Sequence, residues 1–303
     1  MKPTLQSRRH FIKLSSLALG STLTLPLFAT SPAKKPYRIS AHLWVYASAF
    51  PPDWNSNPIM DQIFADLKYA GLDGVELMEV NLRSSAAVKK LKELVDRHNF
   101  PVTGTSYGAD MWNRELHKEI LRDIELVTGN LSNVGGKTFG ISVNTPGRQK
   151  TEQELDDQAS LLESIRVVCK KNGIVPNLHN HTYEVENNLH DLAGTLKRLP
   201  DYPLGPDIGW LAKAGVDPVE FVRRYGKQMV YMHLRDIDSK GEWTEVLGEG
   251  TVDFEKVALT LKESGFAGSI GIELAFPNDF KPTRSLKDNW KISRDFINKI
   301  FNS

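Results

Sequence analysis

Apolar and polar positions in this chain switch repeatedly between two periods. Runs rich in β-branched and aromatic residues occupy 38–46, 74–80, 101–107, 137–143, 175–181, 204–208, 229–234 and 269–276. Amphipathic stretches with helical spacing lie between them, among them 84–98, 113–131, 151–171, 253–264 and 285–301. Four helical patterns end on a glycine shortly before the next β-rich run, at Gly71, Gly173, Gly226 and Gly265. Glycine is the expected stop, because it takes the left-handed conformation after a last helical turn without strain. Repeated strand–helix alternation predicts a parallel sheet. An open doubly wound sheet is the rival, but no glycine-rich phosphate fingerprint follows the first strand. A count of eight strands suits closure into a single-domain (β/α)8 barrel.

The N-terminal segment stands apart from this pattern. Ser7-Arg8-Arg9-His10-Phe11-Ile12-Lys13 precedes an apolar run over 14–28, the layout of an export signal. The paired Arg8 and Arg9, with Phe11 and Lys13 behind them, resemble a twin-arginine signal, which is a receptor-read address and not an anchor. The apolar run is short for a membrane span. The expectation is a removable signal over 1–33, a barrel over 34–303, a periplasmic or otherwise exported product, and the twin-arginine machinery as a transient partner. No lasting membrane insertion is expected. A folded chain exported in this way can carry a weakly held ion such as manganese past competing copper and zinc.

Charge narrows the ligand class. The chain has 38 basic and 37 acidic residues and no block of like charge, so neither nucleic acid nor an anionic membrane is indicated, and a small neutral molecule fits better. The single cysteine, Cys169, shares an apolar helix face with Leu161, Leu162, Ile165 and Val168, which predicts a buried, chemically idle thiol. A homo-oligomer is left open.

In a (β/α)8 barrel the C-terminal ends of the strands converge on one site. Here the last four runs end in Asn177-Leu178-His179-Asn180-His181, Gly205-Pro206-Asp207-Ile208-Gly209-Trp210, Met232-His233-Leu234-Arg235-Asp236 and Gly271-Ile272-Glu273-Leu274. Each run places an imidazole or carboxylate at comparable depth. One such residue is unremarkable, and Asp207 alone reads as a helix cap. Four at matching points predict a mixed N/O site for one divalent ion: His179, Asp207, His233 and Glu273, with His181 the alternative to His179. Manganese, iron, cobalt and zinc all suit such donors, whereas soft thiolate chemistry is excluded by the single cysteine. Trp44, Tyr107, Trp112, Trp210 and Trp243 fall at or after strand ends, where they offer faces for a sugar ring or ordinary packing. Glu76 is either a site residue or a satisfied polar group inside the barrel, and Glu184 and Glu186 read as solvated loop carboxylates.

Leu178-His179-Asn180-His181-Thr182-Tyr183-Glu184, Asp207-Ile208-Gly209-Trp210, Ala214-Gly215-Val216-Asp217-Pro218, His233-Leu234-Arg235-Asp236, and Gly248-Glu249-Gly250-Thr251-Val252-Asp253-Phe254 with Glu273 together resemble the sugar phosphate isomerase/epimerase family with the xylose isomerase-like TIM barrel. The resemblance spans nearly all of 34–303. It implies a single catalytic metal, often manganese, with His179, Asp207, His233 and Glu273 on the ligand positions, and places Arg235 and Asp236 where the family usually has Lys and Asp after the histidine. Many members carry Glu at the first ligand position and use two Glu residues as acid and base. His179 replaces that Glu here, which puts the two-carboxylate proton shuttle in question.

The chemistry so implied is proton removal next to a carbonyl, with an enediolate intermediate stabilised by a Lewis acid. Glu273 is the expected base, His179 or His181 the partner acid, and Arg235 a holder of negative charge. Trp210, Glu76, Asp236 and Trp112 are the expected substrate-binding residues, and the loop 238–251 shapes specificity. The expected function is a metal-dependent isomerase or epimerase of a keto sugar. Alternatives are a lyase acting on 3-keto glycosides by β-elimination and a non-catalytic sugar-binding accessory subunit. A DNA-repair endonuclease on the same barrel is disfavoured by the balanced charge, by the export signal and by the strand ends at Glu76, Tyr107 and Val143, which offer no extra histidine.

Overall fold

The strands form where residues alternate between an outward apolar face and an inward, largely polar one. In the computed structural model, which describes residues 36–277 and 279–303, β1 (Ile39–His42) leads into a short helix, α1 (Trp44–Ala47). There follow α2 (Met60–Tyr69), β2 (Val75–Met78), α3 (Ser85–His98), β3 (Val102–Gly108), α4 (His117–Asn133), β4 (Thr138–Ser142), α5 (Glu152–Lys171) and β5 (Val175–Leu178). The chain then runs through α6 (Thr182–Arg198), α7 (Ile208–Lys213), α8 (Pro218–Tyr225), β6 (Tyr231–Leu234), α9 (Phe254–Glu263), β7 (Ser269–Ile272) and α10 (Leu286–Phe301). The strands pair in parallel in the order β5-β4-β3-β2-β1-β7-β6, a nearly closed barrel. The expected signal at 1–33 lies outside the described residues, and among those described no helix is long and apolar enough to cross a membrane.

The eighth place in the barrel is filled without a regular strand. Leu204 bridges to Leu178 on one side and Met229 on the other, and Asp207 bridges to His233. A continuous ladder fails here because Pro203 and Pro206 have no N–H to give. Asp207 N–H donates instead to the Asn180 side-chain oxygen at 3.1 Å. The first expected strand is also shorter than its apolar run. Past His42 the backbone turns into α1, with Tyr46 and Ala47 N–H donating to Leu43 O and Trp44 N–H donating to His42 Nδ1.

Three of the four stop glycines behave as expected: Gly71, Gly173 and Gly265 have φ of 78°, 67° and 77°. Gly226 does not. Its φ is −56°, and its requirement is space, since a Cβ there would sit 2.6 Å from the Ser264 side chain. The helices begin on local signals. Thr151 Oγ1 accepts from Glu154 N–H while Glu154 Oε2 accepts from Thr151 N–H, at 3.2 and 2.7 Å, a reciprocal cap for α5. Asp253 and Ser285 cap α9 and α10. Cys169 is fully buried on α5, and burial pushes its thiol up to about 12.

The outward strand residues Val75, Leu77, Phe139, Ile141, Ile270 and Ile272 have no exposure and share one core with Leu67, Leu94, Leu131, Ile165, Leu261 and Ile297 of the helices. Polar side chains meet across strands inside the barrel: Ser40 with Tyr231 at 3.1 Å, Tyr231 with Glu76 at 2.7 Å, and Glu76 with His233 at 2.6 Å. β7 makes room for this group with Gly271, where a Cβ would overlap the Tyr231 hydroxyl and crowd the His233 ring. That packing ties β1, β2, β6 and β7 together across the barrel interior.

Candidate active site

Each candidate ligand is held by backbone next to it. His179 leaves the end of β5 with its N–H donating to Ile141 O at 2.8 Å, His233 N–H donates to Pro206 O at 2.8 Å, and Glu273 N–H donates to Leu234 O at 3.0 Å. Asp207 is doubly fixed. Its Oδ1 accepts from Trp210 N–H at 3.0 Å as the cap of α7, and its backbone is paired with Asn180. The helix-cap reading of Asp207 therefore holds, and the cap leaves the second carboxylate oxygen free to serve elsewhere.

Donor atoms of His179, Asp207 and His233 lie within 4.8 Å of one another, with the two Nδ1 atoms 3.1 Å apart. Glu273 Oε2 is 3.3 Å from His233 Nδ1, and Oε1 is 3.2 Å from His42 Nδ1. Arg235 spans the two carboxylates, pairing with Glu273 and lying 3.0 Å from Asp207 Oδ2. That oxygen is buried and has no donor in hydrogen-bonding line. A buried carboxylate oxygen held only by the charge of Arg235, grouped with two imidazole nitrogens, is a donor set that fits a divalent first-row cation.

Charge inside this group is uneven. Burial, and then the neighbouring His233, hold His179 well below the ordinary histidine value, so it is neutral. Burial pulls His233 the same way, but the surrounding carboxylates, Glu76 foremost and then Glu273 and Asp207, raise it to about 9. Burial lifts Asp207 despite Arg235. For Glu273 burial is overcome by Arg235 and then His42, which hold its carboxyl well below the usual range.

These residues open into a cavity of about 540 Å³ at the C-terminal mouth of the barrel, room for a monosaccharide or a small glycoside. Trp210 and Trp243 meet edge to face at 4.7 Å on one part of its wall, with the Arg235 guanidinium 5.5 and 5.1 Å from their rings. Trp44 and Trp54 pair at 5.4 Å on another part. Trp54 has φ of 53°, a left-handed backbone that costs a bulky residue about 1 kcal/mol or more and is tolerated where surrounding structure over-determines it.

A protein-family model, Xylose isomerase-like TIM barrel, matches residues 64–300. The chain belongs to this family. Among its relatives, the inosose dehydratase of Clostridium perfringens is 22% identical over 256 residues, covering 73% of this chain and 84% of that protein. Among solved structures, the D-allulose 3-epimerase from Methylomonas sp. in complex with D-allulose is 18% identical with a TM-score of 0.68, covering 88% and 98% of the two chains. The 3-keto-D-glucoside 4-epimerase from E. coli is 16% identical with a TM-score of 0.64, covering 86% and 99%. At these identities the structural likeness is one of fold.

Within this xylose isomerase-like barrel, His179, His181, His233, Arg235, Glu273 and Trp210 all line the cavity. His181 is set apart from the three-donor group. Its Nδ1 faces Tyr183 OH at 2.9 Å and Ser142 Oγ at 3.1 Å, and its ring meets His179 and Trp210 edge to face. Three expected substrate-binding residues are not in the wall. Glu76 is fully buried behind His233. Trp112 lies outside the cavity's lining, with its indole N–H buried and unpaired. Asp236 is turned into its own loop, accepting N–H groups of Ile237, Gly248, Gly250 and Val252 at 2.9 to 3.2 Å. Glu184 is not a solvated loop carboxylate: it is buried and accepts from Ser142 Oγ and His181 N–H, both at 2.7 Å. Glu186 is exposed, as expected.

The reading of the sequence passed over His42, Glu79, Asn180 and Trp54. His42 sits at the end of β1 and obeys the same strand-end rule as the others; running that strand on to Tyr46 hid it. Glu79 follows β2 in the cavity wall, and burial raises its carboxyl above the usual value.

The Asp236 arrangement yields a stability prediction. Asp236→Ala orphans four loop N–H groups around a side chain only 3% exposed. A loss of about 2–3 kcal/mol is expected, a fall of roughly 5–10 °C in melting temperature, together with faster proteolytic nicking within 247–252. An unchanged melting temperature and cleavage pattern would show that the loop holds without it.

Proposed function

We propose that this chain is a divalent-metal-dependent isomerase or epimerase of a keto sugar or sugar derivative. The reading rests on one observation, the convergence of His179, Asp207 and His233 donor atoms within 4.8 Å beside Glu273 at the mouth of a sugar-sized cavity. Manganese is the proposed ion, with zinc, cobalt or iron able to use the same donors. The sequence of residues 1–33 supports export by the twin-arginine route and a periplasmic location.

When bound, the ion supplies Lewis-acid polarisation of a carbonyl and its neighbouring hydroxyl. The chain's own residues do the rest. Glu273, kept ionised by Arg235, takes the proton from the carbon next to the carbonyl, leaving an enediolate. His179 is neutral and serves as a nitrogen donor, so return of the proton from the other face falls to His181, on the cavity wall. Arg235 steadies both carboxylates, and the Trp210–Trp243 and Trp44–Trp54 pairs cover the ring and exclude water.

A second reading, β-elimination from a 3-keto sugar, is favoured by His179 at the first ligand position, which removes one partner of a two-carboxylate shuttle, and by the inosose dehydratases among the relatives. The test is incubation of metal-analysed protein in deuterium oxide with D-allulose, an inosose and a 3-keto-glucoside. Carbon-bound deuterium with epimer formation is the expected result. An ultraviolet-absorbing unsaturated product assigns the lyase. A shift in melting temperature with no exchange on any of the three would refute catalysis and leave a sugar-binding accessory subunit.

A further inference from the structure

We propose that Glu76 is a positioning residue for the metal centre, fixing the His233 ring from beneath so that Nδ1 is the nitrogen presented to the cation. The inference rests on the metal reading above and assigns a role to a group that touches neither the cavity nor the substrate. Glu76 has no exposure and sits on the inner face of β2. Its Oε2 lies 2.6 Å from His233 Nε2 and 2.7 Å from the Tyr231 hydroxyl. A carboxylate only accepts, so His233 Nε2 carries the hydrogen in that contact. The ring's other nitrogen then faces His179 Nδ1 at 3.1 Å and Glu273 Oε2 at 3.3 Å, on the side of the candidate donors.

The carboxylate is itself locked. Tyr231 OH is 3.1 Å from Ser40 Oγ, and Ser40 donates to Ile270 O at 3.2 Å, so the chain from β1 through β6 to β2 leaves Glu76 Oε2 one place to be. The His233 ring is boxed edge to face by Tyr231, His42 and His179 at 5.1, 5.2 and 5.0 Å. Fold stability does not explain a carboxylate here. A barrel interior is ordinarily filled by branched apolar residues, and the other oxygen, Glu76 Oε1, is buried without a partner, a cost an apolar residue would not carry. A carboxylate behind a ligating imidazole sets the ring's tautomer and orientation and makes it a better donor.

The test titrates the metal-stripped full chain with cobalt(II) chloride by calorimetry and visible absorption, comparing wild type with Glu76→Gln. The amide is nearly isosteric but can donate as well as accept, so it no longer dictates which His233 nitrogen is free. Affinity for cobalt is expected to fall by about 10- to 100-fold, with a changed ligand-field spectrum, over and above any fall in melting temperature from the lost charge beside His233. A merely structural role would lower the melting temperature and leave spectrum and affinity alone. Equal affinity and spectrum in the two proteins overturns the inference with the metal reading intact. Wild type that takes up no cobalt instead sinks the metal reading. Should Glu76→Gln not fold, nitrogen-15 spectra of zinc-loaded wild type decide the matter: a protected Nε2–H on His233 is expected, and its absence refutes the assignment.

Discussion

His233→Ala is expected to abolish metal uptake and to destabilise the protein sharply at the same time. Two effects combine because the ring has two faces. Toward the cavity, the variant removes one of the three donors that lie within 4.8 Å of one another. Lewis-acid assistance amounts to several kcal/mol of transition-state stabilisation, and each 1.36 kcal/mol is tenfold in rate, so turnover should drop by about a thousand-fold or more. Toward the barrel interior, the variant strips Glu76 of its 2.6 Å partner and leaves a fully buried carboxylate with the Tyr231 hydroxyl alone. Breaking a buried pair from one side costs about 3–5 kcal/mol, roughly 10 °C in melting temperature for a barrel of this size. The decisive control is the double variant: adding Glu76→Gln should restore most of the lost stability and none of the metal. If the double variant melts no higher than His233→Ala, the instability comes from the lost ring volume and not from the stranded charge. Elemental analysis and thermal unfolding of the three proteins suffice.

Glu273→Gln separates chemistry from metal binding. Glutamine keeps the shape and an oxygen for coordination but cannot take a proton, so deuterium exchange into the substrate is expected to fall by about 10²–10⁴-fold. Cobalt uptake by stripped protein should stay within about tenfold of wild type, because the three-donor group does not include Glu273. The fold should persist, since Arg235 remains 3.0 Å from Asp207. Loss of metal together with activity would make Glu273 a ligand first and move the base to another ionisable group in the wall, such as Glu79, His181 or His42. Full exchange in the variant would remove Glu273 from the chemistry altogether.

In the proposed centre, His179 would stand where the family resemblance leads one to expect a carboxylate. A neutral imidazole beside a second imidazole and a shared Arg235 would make the proposed centre more nitrogen-rich and less negative than one built on two glutamates. The remaining carboxylates are each tied to Arg235, whose guanidinium also lies against Trp210 and Trp243. The charge of the site and its aromatic wall are thus coupled through one side chain.

Much of this was determined by the sequence alone. Periodicity and caps are local, and they placed α3, α5, α9 and α10 to within a residue or so: Thr151, Asp253 and Ser285 satisfy first-turn N–H groups of α5, α9 and α10, while α3 was placed by its apolar spacing alone, since Ser84 makes no side-chain cap. The alternation of eight units specified the barrel, and the barrel specified where to look: His179, His181, Asp207, His233, Arg235 and Glu273 occupy strand ends, and the fold brings them together. What the tertiary structure alone decided was direction and partnership. Whether Glu76 faces the cavity or the underside of His233 depends on how deep its strand sits against β6 and β7. Asp236 lies one residue beyond Arg235, yet it turns to the backbone of its own loop while Arg235 reaches Asp207 and Glu273. The sixth expected strand broke at Pro203 and Pro206, which sequence shows, but that Asp207 N–H would then find the side-chain oxygen of Asn180, 27 residues away in sequence, only the folded barrel decides. Local sequence encodes backbone conformation through the steric and hydrogen-bonding preferences of a few adjacent residues. The partner a buried polar group finds is set by which distant strand closes over it, and only the closed barrel contains that information.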